Sequence, residues 1–348
     1  MTTEKPLTYR DAGVDIDAKM AILKRVTPAI RATWTGDVLG EPGGFGSLFR
    51  APGAPFQEPI LVASTDGIGT KIKIASRVGR YDTLGLDLVN HCVNDILVQG
   101  ARPLFFLDYI AVGKMSDAVV GGLVLGLARA CRENGCALIG GETAQMPGLY
   151  QPADFDVAGF IVGVVDRANL LDGSRIRAGD VLIGLPSSGL HTNGFSLAQR
   201  VLFENERKHH EDVLPEIGRS LGEELLEPHR SYLRPLLPLV EAGRLHGLAH
   251  ITGGGFPDNV VRVLPAGLCA VIRFGTWEIP PIFTVIRERG RVPLTECLRV
   301  FNMGIGMVLF VDRDQETSVL GDLTAYGLGG TIIGEVVAGD RSVVIQGV

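Results

Sequence analysis

The apolar run 59–65 ends in a turn and predicts a buried strand. Leu84, Leu88, Val89, Cys92, Val93, Ile96 and Leu97 then recur at three- and four-residue spacing. That period predicts a helix over 83–99, with Gly100 as its stop and Pro103 just beyond. Residues 104–112, rich in Phe, Tyr, Ile and Val, read as a strand. Ser116-Asp117 opens a second helix that Gly135 closes, and 136–139 and 157–165 are further strands. A polar, turn-rich stretch over 167–179 marks a boundary between residues 1–170 and 171–348. Beyond it, 181–185, 248–252, 268–274, 307–311 and 331–337 read as strands, with helices over 193–206, 228–242 and 314–325. Strands interleaved with helices give an α/β or α+β fold class in two domains.

Composition narrows the function. Glycine supplies 46 of 348 residues without a Gly-X-Y period, about 13% against an average of about 7%. Hydrophobic residues are 46% and charged residues 21%, a globular composition. The net charge of −6 and the lack of any Lys/Arg run argue against coating nucleic acid or an anionic membrane. No stretch reaches eighteen apolar residues; the best, over 119–130, is broken by three glycines. The N-terminus lacks a signal-peptide pattern, so a soluble cytoplasmic protein is expected. Cys92, Cys131, Cys136, Cys269 and Cys297 form no CxxC pair and lie among apolar neighbours, which predicts buried free thiols.

Much of the glycine is clustered with reactive residue types. Five stretches stand out: 40–47 with Gly43, Gly44, Phe45 and Gly46; 64–71 with Asp66, Gly67, Gly69, Thr70 and Lys71; 139–148 with Gly140, Gly141, Glu142 and Thr143; 187–194 with His191 and Asn193; and 252–256 with Gly253, Gly254 and Gly255. Loops after strand ends bind ligands in α/β proteins, and glycine lets backbone amides approach an anion. None of the stretches is a P-loop, a GxGxxG or a GxSxG elbow. Asp66 and Lys71 in one loop suit a metal ion with phosphate. On the 83–99 helix, Asp87, His91 and Asp95 stack at i, i+4, i+8 beside Asn90 and Asn94, which reads either as a solvated face or as a site. Glu142 is a third acid, and spacing does not tell whether the three converge. His191 reads as a base or phosphate ligand, or Ser187 and Asn193 merely cap the next helix. His209-His210 reads as solvated surface. Gly121, Gly122, Gly126, Gly159 and Gly163 read as close packing.

Taken in order, these stretches resemble the phosphoribosylformylglycinamidine cyclo-ligase (aminoimidazole ribonucleotide synthetase) family. The resemblance rests on 9–18, Gly43-Gly-Phe-Gly46, Thr65-Asp-Gly-Ile-Gly-Thr-Lys71, Cys92-Val-Asn-Asp95 with 99–109, Gly140-Gly-Glu-Thr-Ala-Gln-Met-Pro-Gly148, 156–160, Ser187-Ser-Gly-Leu-His-Thr-Asn-Gly194, Thr252-Gly-Gly-Gly-Phe256 and 301–307. It implies a homodimer in which the mixed N-terminal sheets of two subunits join into a barrel-like core, each followed by a C-terminal α/β sandwich.

The implied reaction uses ATP to close the imidazole ring of formylglycinamidine ribonucleotide (FGAM). Asp66, Asp95 and Glu142 would hold Mg²⁺ and triphosphate, with K⁺ a candidate second ion. Lys71, Gly43–Gly46 and the 140–143 stretch would meet the nucleotide. His191, Asn193 and Gly253–Gly255 would face the substrate, with His191, Asp95 and Lys71 as the catalytic set. Some relatives carry a nucleotide-site lysine where this chain has Thr27, with Lys24 or Arg25 as substitutes. Residues 204–227 match little. Thiamine-monophosphate kinases, selenophosphate synthetases, a hydrogenase-maturation dehydratase and the large formylglycinamidine ribonucleotide synthetase share the superfamily, so fold alone does not choose among them.

Overall fold

The computed structural model describes residues 14–39 and 47–348. The first helix, α1 (Ile16–Arg31), starts where the Asp15 carboxylate accepts the Ala18 N–H, and it buries Ile22 and Val26. A two-stranded ribbon follows, β1 (Val38–Leu39) with β2 (Leu48–Phe49). The N-terminal layer then runs β3 (Pro59–Gly67), α2 (Lys71–Val78), α3 (Asp82–Leu97), β4 (Arg102–Val112), a π-helical turn over Asp117–Gly121 leading into α4 (Gly122–Glu133), β5 (Ala137–Gln145) and β6 (Phe155–Asp166). The sheet order is β3-β6-β4-β5, with β4 and β5 parallel and the other pairs antiparallel. Helix α3 packs on this sheet with α4 beside it. The other face of the sheet exposes Leu61 and Phe160.

The C-terminal layer comprises β7 (Val181–Pro186), α5 (Phe195–Gln199), α6 (Leu221–Leu225), α7 (Leu233–Glu241), β8 (Gly247–His250), α8 (Gly255–Val263), β9 (Leu268–Arg273), α9 (Pro281–Gly290), α10 (Leu294–Val300), β10 (Ile305–Val311), α11 (Glu316–Ala325), β11 (Thr331–Ala338) and β12 (Ser342–Gln346). Its sheet order is β12-β9-β11-β7-β10-β8, antiparallel except for β12 on β9. Every residue of β10 is buried. No helix of the described residues is long and apolar enough to cross a membrane. All five cysteines are free and buried, as their apolar surroundings predict.

The strands fall where the apolar runs place them, with three informative differences. First, β3 runs through Asp66 to Gly67, and β5 runs through Gly140-Gly141 to Gln145, so neither stretch is a loop there. Glycine at 140 and 141 has another cause: a Cβ would stand 2.7 Å from the Ser47 hydroxyl and 2.4 Å from Asp108 Oδ1. Second, the helix over 193–206 begins at Phe195 behind a left-handed Gly194, with no side-chain cap, so neither Ser187 nor Asn193 caps it. Third, helices α1, α2 and α8 to α10 appear where the sequence gives no strong period.

Helices α3 and α4 cross so closely that only glycine fits at the contact. A Cβ on Gly126 would lie 2.0 Å from the Asp82 carbonyl oxygen, and one on Gly85 would lie 2.4 Å from the Leu127 nitrogen. In the sheet, a Cβ on Gly159 would meet the Phe106 ring at 2.3 Å. Because backbone rather than a flexible side chain blocks the space at 126, Gly126→Ala should force the helices apart. We expect a loss of about 1–3 kcal/mol in urea unfolding, despite alanine's better helix propensity.

Candidate functional site

Helix α3 carries its polar stripe into the seam between the layers, not into solvent. Asp87, Asn90, His91 and Asn94 are all buried. Asp87, Asn90 and Asn94 read the backbone of the segment around 229–232. The His229 N–H donates to Asp87 Oδ1 at 2.7 Å, Asn90 Nδ2 donates to the His229 carbonyl at 2.7 Å and Asn94 Nδ2 to the Arg230 carbonyl at 2.8 Å, and the Tyr232 N–H donates to Asn94 Oδ1 at 2.9 Å.

Lys71 lies at the end of this stripe. Its side chain is fully buried, and Nζ donates to Asp87 Oδ1 at 2.9 Å, to the Glu227 carbonyl at 2.9 Å and to the His191 carbonyl at 3.2 Å. An ammonium has three protons, and all three are engaged. Burial lowers the Lys71 pKa and raises that of Asp87, each opposed by the other's charge. The expectation that Lys71 meets phosphate is therefore corrected: it ties α2 and α3 to the 191 and 227 backbone. Its neighbour Thr70 points the same way, with its hydroxyl 2.9 Å from Ser196 Oγ.

Beyond the seam, four histidines gather. His91 Nε2 lies 2.7 Å from Asp66 Oδ2, and His91 Nδ1 lies 2.5 Å from the Thr192 hydroxyl. His250 Nδ1 lies 2.8 Å from Asp95 Oδ1, and His250 Nε2 lies 3.0 Å from His229 Nε2. His191 stacks on His229 with ring centroids 3.9 Å apart. Burial pushes His191 and His229 well below the ordinary histidine range and also lowers His250, whereas in His91 the Asp66 hydrogen bond and the Asp95 and Asp66 charges override burial and raise the pKa. For both acids burial acts upward, but His91 beside Asp66 and His250 beside Asp95 win, and both carboxyls stay low.

Asp66, His91, Asp95 and His250 open onto a cleft of about 580 Å³ between the layers. Ser64, Thr252, Asn259 and Arg262 also line it. Here Gly254 caps α8 in the left-handed conformation, and Asn259 Nδ2 pins the carbonyls of Gly253 and Gly255. Gly253, Gly254 and Gly255 themselves are not among the residues that line the cleft. His191 does not line the cleft: it sits behind His229, with Nε2 accepting the Ser188 N–H at 3.2 Å and Nδ1 buried without a partner. Asn193 Nδ2 is likewise buried and unpartnered. The expectation that His191 contacts substrate is corrected to a place in the second layer. His229 and His250 escaped the sequence reading. Their signal was a polar residue at the end of the otherwise apolar 248–250 strand, and one directly after Pro228.

Glu142 stands apart from the other two acids. Asp66, Gly159, Asp108 and Gly141 lie level across β3, β6, β4 and β5. That separation is three strand spacings, about 14 Å. Within one chain Glu142 cannot share an ion with Asp66 and Asp95, which corrects the three-acid set. With Gly140, Gly141 and Thr143, Glu142 lines a second cavity of about 670 Å³ under α1. Thr27 and Lys24 line the same cavity, whereas Arg25 turns away to pair with Asp117. Gly43, Gly44, Phe45 and Gly46 lie outside the described residues. Among the named positions, Lys71 yields the sharpest test of the seam. Lys71→Met leaves Asp87 buried and unpaired, and urea unfolding should show a loss of about 3–5 kcal/mol. Adding Asp87→Asn should recover part of it; equal losses would mean that charge is not what the pair contributes.

Residues 55–165 match the family AIR synthase related protein, N-terminal domain, and residues 177–347 match its C-terminal domain. A phosphoribosylformylglycinamidine cyclo-ligase of Carboxydothermus hydrogenoformans is 49% identical over 98% of this chain and 99% of its own. Among solved structures, a thiamine-monophosphate kinase from Stenotrophomonas maltophilia K279a superposes with a TM-score of 0.70 at 19% identity, covering 94% of this chain and 96% of its own. A hydrogenase maturation protein, HypE, in complex with ATP superposes at 0.66 and 19% identity, covering 97% and 93%. The two structures share the fold; the cyclo-ligase shares nearly half the residues end to end, and the chain belongs to the phosphoribosylformylglycinamidine cyclo-ligase family.

Proposed function

We infer that this chain catalyses the ATP-dependent closure of FGAM to 5-aminoimidazole ribonucleotide, with release of ADP and phosphate, in purine biosynthesis. The observation that carries the reading is the convergence of Asp66, His91, Asp95 and His250 on a cleft that Thr252, Asn259 and Arg262 also line. An amide oxygen is a poor leaving group and phosphate a good one. The formyl oxygen therefore takes the γ-phosphoryl group first, the substrate's own nitrogen attacks the same carbon, and phosphate departs. The protein's task is to position the groups and balance charge.

The donor set fits Mg²⁺ at Asp66 and Asp95. Both carboxylates stay ionised, face the cleft and keep lone pairs beyond those given to His91, His250 and Ser64. Bound there, Mg²⁺ would neutralise phosphate oxygens. His91 and His250 hold the two carboxylates in place. Thr252 and Arg262, which line the cleft, suit the substrate's own phosphate. His191 supports His229 from behind; with Nε2 accepting, its neutral ring keeps the proton on Nδ1 and is suited to donate a hydrogen bond. K⁺ and a cytoplasmic location belong to the same proposal.

The homodimer is part of it as well. Leu61, 60% exposed, and Phe160, 43% exposed, lie on the open face of the N-terminal sheet, and a second copy of that face would cover them. Two outcomes test these readings. Asp95→Asn should lower FGAM-dependent ADP release about 100-fold or more and raise the Mg²⁺ needed for half-maximal rate; unchanged values of both would overturn the metal assignment. Leu61→Asp with Phe160→Glu should turn a dimer into a monomer in sedimentation, and a wild-type sedimentation coefficient would exclude this face.

A further inference from the structure

The cleft between the layers offers nitrogen ligands as well as oxygen. One ligand atom from each of His91, Asp95 and His250 lies within 4.8 Å of the other two. Asp95 Oδ1 is 2.8 Å from His250 Nδ1, and Asp95 Oδ2 is 3.7 Å from His91 Nε2. Ligands about 2.0–2.1 Å from one tetrahedral ion stand roughly 3.3 Å apart, and the two contacts bracket that spacing. All three residues line the cleft, so an ion has a way in and room for water.

The protons around His250 carry the argument. This ring faces two acceptors, Asp95 Oδ1 on one side and, 3.0 Å from its Nε2, His229 Nε2 on the other. His229 Nε2 is an acceptor because Asn94 Nδ2 points at it from 3.2 Å. The Asn94 amide cannot be turned round: its oxygen accepts the Tyr232 N–H, and its nitrogen donates to the Arg230 carbonyl. A neutral imidazole has one proton for these two acceptors. A cation beside Nδ1 removes the conflict, since Nε2–H then donates to His229 while Nδ1 and the Asp95 carboxylate share the ion. His91 is braced in the same way, with Nδ1 2.5 Å from the Thr192 hydroxyl. An acceptor behind each ring is what orients histidine toward a metal. His191 cannot join them, because its Nε2 accepts the Ser188 N–H and its ring stacks on His229.

We propose that His91, Asp95 and His250 form a binding site for a divalent transition-metal ion of the Co²⁺ or Zn²⁺ class, with Thr192 and His229 orienting the two rings. Imidazole favours these ions, whereas Mg²⁺ takes oxygen ligands and water. The site shares Asp95 with the Mg²⁺ proposed at Asp66 and Asp95 and differs from it in its two nitrogen ligands.

Co²⁺ titrated into the metal-free full chain, without ATP or FGAM, tests it. The wild type should develop the visible d–d bands of a nitrogen-ligated ion, and calorimetry should find one Co²⁺ per chain and much weaker binding of Mg²⁺. His91→Gln and His250→Gln should each weaken Co²⁺ about 100-fold, and Thr192→Val about tenfold. Thr192→Ser, which keeps the hydroxyl, should bind as the wild type does, and so should the double variant His209→Gln, His210→Gln on the surface. A wild type without the bands overturns the proposal. So does binding that survives in a folded His91→Gln, or binding that the His209 and His210 variant abolishes. Because no turnover is measured, such a failure leaves the cyclo-ligase reading standing, and loss of FGAM-dependent ADP release would leave the metal site standing.

Discussion

Everything at the cleft depends on the burial of one helix that is polar along one side. A helix with Asp87, Asn90, His91 and Asn94 in its middle is stable inside a protein only if each of those groups finds a partner. For Asp87, Asn90 and Asn94 the partners include backbone groups of the segment around 229–232, supplied by the other layer, and for His91 they are Asp66 and the Thr192 hydroxyl. The two layers therefore meet through directional hydrogen bonds, not through a greasy seam alone. β8 is held in register by β10, and across the seam its His250 meets Asp95 at 2.8 Å. The buried Lys71–Asp87 pair closes the same arrangement at one end.

Imidazoles then translate this register into chemistry. His91 and His250 each hold one carboxylate, and His229 and His191 stand behind them as a packed second layer. Each acid stays ionised despite its burial because a ring nitrogen faces it. Two carboxylates held side by side in their charged state are costly unless something positive joins them, which is the condition an ion-binding cleft needs.

Much of this was legible in the residues, and the rest was hidden for physical reasons. Periodicity found α3 and the main strands, because burying a stripe or a face leaves a period in the sequence. It could not say whether the polar side of α3 met water or another layer, since both demand the same residue types. Asp66 and Asp95 line one cleft, which their spacing in the sequence did not decide. Glu142 does not line it, because distance across a sheet depends on strand order, and strand order leaves no local trace. Lys71 was misjudged for a related reason: a lysine after a glycine turn looks free until the carbonyls of His191 and Glu227 arrive from far along the chain. Gly140 and Gly141 looked like a loop, yet they are strand residues kept small by Ser47 and Asp108.

The Lys71 contacts also set an order of events. Its carbonyl partners lie 120 and 156 residues downstream. During synthesis the N-terminal sheet and its helices leave the ribosome first, with the Lys71–Asp87 pair and the α3 amides still open to water. The carbonyls that complete the Lys71 ammonium come only with the segments that carry His191 and Glu227. Contacts over such a span carry a larger loop-closure entropy than those within a helix. The residues that build the cleft are in this sense also the clasp that ends the folding of the chain.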